Sequence, residues 1–80
     1  MDDAEIVRRI GDLAEEEHSL ERAHSGEEPT AEETERLRRL EVTLDQCWDL
    51  LRQRRARRNA GQDPDDVELR PEDVVEKYRQ

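Results

Sequence analysis

The sequence predicts an all-α protein: an antiparallel two-helix hairpin with a short C-terminal helix or tail, pairing into a dimeric four-helix bundle. Three observations carry that expectation. Apolar residues fall in two stripes at alternating steps of three and four. A short breaker segment separates the stripes, and each stripe opens with a capping signature. The second stripe is wider than a single neighbouring helix can cover.

The first helix is predicted over 3–24. Asp2 is placed to cap it, with Glu5 three positions on as the reciprocal partner and Met1 stapling onto Ile6. Ile6, Ile10, Leu13 and Leu20 form the stripe, with Val7 and Ala14 widening it. The same register brings Glu17 and His24 into the seam, and Arg38 or Arg39 is the expected partner of Glu17. The segment SGEEPT, 25–30, ends the helix. Gly26 suits the left-handed residue after a helix end, and Pro29 cannot continue one.

Thr30 and Glu33 form a second capping box and open a helix predicted over 31–59. Its stripe is Leu37, Leu40, Leu44, Cys47 and Leu51, and Arg54 and Arg58 continue the register where leucines would stand. Gly61 is the stop signal. A loop of about five residues makes the two helices antiparallel neighbours. Ile6 is then expected near Asp49 to Leu51, Leu20 near Thr34 to Leu37, and Asp2 and Asp3 near Arg52 to Arg54. Residues 1–60 are thus the hairpin.

Residues 61–80 are a docking tail. Asp63-Pro64 favours a turn, Val67 and Leu69 alternate with acids, and Pro71 can start a last helix over 71–79 carrying Val74, Val75 and Tyr78. The tail is expected to dock near Trp48 or on a partner chain. Leu40, Leu44, Cys47, Trp48, Leu50 and Leu51 present more apolar breadth than the first helix covers. An uncovered leucine forgoes roughly 1.5–3 kcal/mol, so a homodimer is the simplest way to cover them.

Charged residues make up 46% of the chain and the net charge is −9, unevenly spread. Residues 1–51 carry −10, 52–58 carry +5 and 59–80 carry −4. An acidic body repels a phosphate backbone. The run Arg52, Arg54, Arg55, Arg57 and Arg58 therefore reads first as an acid-matched helix tip, where cations also suit the helix dipole. Nucleic-acid binding (RNA or DNA) through that run is the alternative.

Glu15-x-x-His18 and Glu21-x-x-His24 have the spacing of carboxylate-bridged di-metal bundles, which makes a metal centre a further alternative. Chance readily produces this spacing in a chain so rich in glutamate, so no metal or other cofactor is assigned. Cys47 lies in the seam and reads as a small core residue rather than a nucleophile. A single cysteine fits a reducing cytoplasm, and no apolar run reaches the ~18 residues of a membrane span.

The string LEVTLDQCWDLLRQRRARRNAG, followed by DPDDVELRPEDVVEKYRQ, closely resembles a family of short actinobacterial proteins of unknown function. The resemblance rests on Leu40 to Ala56, Gly61, Asp63 to Asp65, Arg70-Pro71 and Val75 to Tyr78, with Glu16 to Leu20 near the N-terminus. It implies a source and a size class and brings no activity with it. It does draw interest to Asp45, Gln46, Trp48, Asp49, Arg52, Gln53 and Arg55, polar or amphipathic motif residues that a bare bundle does not need. The expectation is a soluble, cytoplasmic, non-enzymatic protein-interaction or assembly module. Its contact residues are expected to be Trp48, Leu51, Arg52, Arg54, Arg55, Arg57 and Arg58.

Overall fold

The structure, a computed structural model, describes residues 2–23 and 26–77. Helix α1 runs Asp3–Ala23 and helix α2 Ala31–Asn59. A single 3-10 turn, Pro64–Asp66, and helix α3, Glu72–Lys77, follow. The described residues contain no strand. The staple by Met1, the seam position of His24 and the place of Tyr78 lie outside the described residues.

Both capping boxes form. The Glu5 backbone N–H donates to Asp2 Oδ1 at 2.8 Å and the Asp2 N–H to Glu5 Oε1 at 3.3 Å. Glu33 donates to Thr30 Oγ1 at 3.2 Å and Thr30 to Glu33 Oε1 at 3.0 Å. Each box satisfies backbone donors that a helix start leaves without intrahelical partners. At the far end of α2, Gly61 adopts φ +74°. Gln62 N–H then reaches Arg57 O at 2.8 Å and Gly61 N–H reaches Arg58 O at 3.1 Å. This paired closure needs a left-handed residue, which glycine supplies without steric cost.

Two ion pairs fix the antiparallel register: Arg54–Asp3 at one end and Arg36–Glu16 at 2.7 Å nearer the loop. Facing residue numbers therefore add to between 52 and 57. Ile6, Ile10 and Leu13 of α1 bury against Leu40, Cys47, Leu50 and Leu51 of α2, with Leu20, Leu44 and Val67 packed at the edge. The molecule is a rod of 50 × 25 × 16 Å.

The tail does not lie over Trp48. It runs along another side of α2, where Gln46 donates to Arg70 O at 3.2 Å and Arg38 meets Glu72 at 3.0 Å. Val75 is buried there. The breadth of apolar surface that argued for a partner is thus partly covered from within the chain. Leu50 and Leu51 are buried, and Trp48 is 45% exposed.

Candidate interaction surface

Among the described residues the most enclosed charge is on α2. Asp49 is 1% exposed. Its Oδ2 accepts from Arg70 Nε at 2.8 Å and from Gln53 Nε2 at 2.9 Å, and its Oδ1 pairs with Arg70 Nη2. The bidentate fork suits the planar guanidinium. Arg70 holds the Asp49 carboxyl below the usual carboxylate range, against burial, which pushes the other way. Gln53 also donates to Glu68 O at 3.4 Å. Asp49, Gln46 and Gln53 therefore form a strip that clamps the irregular segment before α3. Asp49 and Gln46, motif residues whose polarity a bare bundle does not need, are taken up by the tail.

A second clamp closes the arginine end. Arg54 is 6% exposed. Its Nε meets Asp3 Oδ1 at 2.6 Å, and its Nη1 meets Asp65 Oδ1 at 2.8 Å and Pro64 O at 3.2 Å. Arg58 also pairs with Asp3. Arg58 first, then Arg54, pulls the Asp3 carboxyl below its ordinary value. Arg57 donates to Gln62 Oε1 at 3.3 Å. Of the expected contact residues, Leu51 is in the core and Arg54 is enclosed by acids, so neither can reach a partner in this conformation. Arg52, 4.0 Å from Asp49, and Arg55 are exposed.

Trp48 stands on another side of α2, about 100° round from Asp49 and farther from Gln46 and Gln53. A groove of about 300 Å³ lies beside it, lined by Glu17, Glu41, Leu44, Asp45 and Trp48. Burial first, then the charges of Glu41, Glu21 and Asp45, raises the Glu17 carboxyl above its usual range. Arg38 and Arg39, expected to pair with Glu17, bond to Glu35 instead, at 3.0 and 3.2 Å. Those two arginines draw Glu35 down to about 2. At 100° per residue, Val7 stands off the α1 core stripe in the same rotational sense as Trp48 stands off that of α2. In an antiparallel pair those two offsets meet on one face. Val7 is 52% exposed and stands level with Trp48 in the observed register.

The remaining candidate chemistry is sparse. Glu15, His18 and Glu21 are exposed, and His24 lies outside the described residues. Among the described residues no three His, Cys, Asp or Glu side chains are grouped to hold a metal ion. Cys47 is buried, and that burial pushes its thiol up, with the Arg9 charge pulling weakly back. A thiol so shielded and so protonated is a poor nucleophile. No helix among the described residues is long and apolar enough to cross a membrane.

Comparison with known proteins agrees over nearly the whole chain. Residues 2–80 match a family described as protein of unknown function, DUF2630. The chain belongs to this family. The uncharacterized proteins Rv0898c of Mycobacterium tuberculosis and Mb0922c of Mycobacterium bovis are each 49% identical to it over 77 residues, covering 95% of this chain and 88% of theirs. These actinobacterial relatives accord with the resemblance drawn from the α2 motif. No solved structure matches the chain.

Proposed function

We propose that the protein is a non-enzymatic protein-interaction module of the cytoplasm, and that it works through the face bearing Trp48. The observation that carries this reading is the 45% exposure of a tryptophan in a chain whose own tail covers a different side of the same helix. Tryptophan is a common anchor of protein interfaces, because it contributes a large rigid surface at low entropic cost. The acidic groove beside it favours a partner presenting cationic side chains. The arginine run supports a nucleic-acid role less well, since Arg54 and Arg58 are committed to Asp3 and Asp65.

Site-specific photocrosslinking in a mycobacterial host tests this directly. A photoreactive side chain at position 48 is expected to give discrete protein adducts, and one at position 68 on the tail few or none. Adducts to RNA or DNA from position 57, with none from position 48, would overturn the reading in favour of nucleic-acid binding.

A further inference from the structure

We infer that the partner of the Trp48 face is a second copy of this chain, laid antiparallel so that α2 of one copy crosses α2 of the other at Trp48. This rests on the reading of that face as the interaction surface and specifies what covers it. The reason is the order of charges along the face. Glu41 lies seven residues before Trp48 and Arg55 seven residues after it, and both are exposed. These positions follow Trp48 around α2 within about a quarter turn, so they share its side of the helix.

A two-fold axis through the level of Trp48 and perpendicular to the helices sends each position to the one whose number completes 96. Glu41 then meets Arg55 of the second copy, and Arg55 meets Glu41 of the second copy. Trp48 meets Trp48 across the axis. The observed register puts Val7 at that same level, so the two exposed Val7 side chains also approach each other. The patch is therefore self-complementary, as a two-fold interface must be. Two copies laid parallel would set Glu41 on Glu41 and Arg55 on Arg55, a repulsive arrangement. Gln46 and Gln53, which hold the tail, stand about 140–160° round α2 from Trp48 at 100° per residue, which leaves the Trp48 face open to the contact.

A charge-swap cycle read by analytical ultracentrifugation of the full chain tests both the partner and the alignment. Glu41→Arg and Arg55→Glu are exposed substitutions that leave the hairpin core untouched, as far-ultraviolet circular dichroism will verify. Each alone puts like charges together at both symmetry-related positions and is expected to weaken self-association about tenfold. Mixing the two variants restores an attractive pair at both positions, so a mixed dimer of near wild-type affinity is expected. A wild-type chain that remains monomeric at high micromolar concentration overturns the proposal. So does a dimer indifferent to the swaps, or a mixture no tighter than its components. A monomer that still gives heterologous adducts from position 48 would remove self-pairing while leaving the interaction surface standing, which separates the two failures.

Discussion

The two flanks of α2 solve the same problem in opposite ways. Gln46 and Gln53 lie to one side of the apolar stripe that packs on α1, and Trp48 lies to the other. On one flank, Asp49, Gln46 and Gln53 hold the tail, and Asp49 loses almost all contact with solvent. On the other, Trp48 keeps nearly half its surface in water beside an acidic groove. A buried charge is tolerated only when geometry completes it, and Arg70 completes Asp49 with a fork of two hydrogen bonds. An exposed indole has no such requirement within the chain. The contrast teaches that one short motif, DQCWDLLRQ, serves internal closure on one flank and leaves an open indole on the other, the side the proposed function uses.

The strongest way to break that contrast is to open the clamp. Arg70→Ala leaves Asp49 enclosed with only Gln53 and the distant Arg52 to answer it. A loss of ~3 kcal/mol is expected, toward the low end for a broken buried pair because a third of the Arg70 side chain reaches solvent. Urea unfolding measures it, and a loss under ~1 kcal/mol would mean that the tail contributes little to the fold.

Acid should act on the same clamps. Asp49 and Asp3 titrate below their unfolded values, and Glu35 titrates at about 2. For a lowered carboxylate, the stabilisation is complete above the unfolded value near ~4 and disappears as pH falls through the folded one. Thermal melts are therefore expected to hold down to about pH 4 and to fall steeply below it.

Glu17 has the opposite sign. Its carboxyl is raised, so its contribution is complete below the unfolded value and is lost as pH rises through the folded one. Glu17→Gln should therefore raise stability at neutral pH by ~0.5 kcal/mol or less and leave it unchanged near pH 3. A variant destabilised at neutral pH would indicate that Glu17 has a cationic partner after all. Trp48→Ala should have the smallest effect on the fold, within ~1 kcal/mol, because so much of the side chain is already in water. It should nonetheless abolish association, and chemical denaturation alongside sedimentation separates the two effects.

The hairpin was legible because its signals are local or periodic. The capping boxes at Asp2 and Thr30, the glycine closure at Gly61 and the stripe from Ile6 to Leu13 each need only a few neighbouring letters. The short loop then placed Asp3 near Arg54 by geometry alone. The path of the tail was not legible, because an irregular segment has no period. Nothing local marks Arg70 as the partner of a residue 21 positions earlier. The register places Arg54 in the seam and the loop sets Asp3 beside it, yet neither shows that it is enclosed. The missing step was that Asp65, held by the turn that Asp63 caps, would return to enclose it. An arginine in a core register with acids on both flanking segments is the signal that could have shown it.

Trp48 is the sole tryptophan, so its fluorescence reports on the open flank without labelling. The most direct measurement is acrylamide quenching of Trp48 across a dilution series of the intact protein. Strong quenching in dilute solution that diminishes as concentration rises is the expected result, because the indole is open in one copy and covered when two meet. An indole shielded at every dilution would contradict the open flank, and one equally open at every concentration would contradict its burial by a second copy.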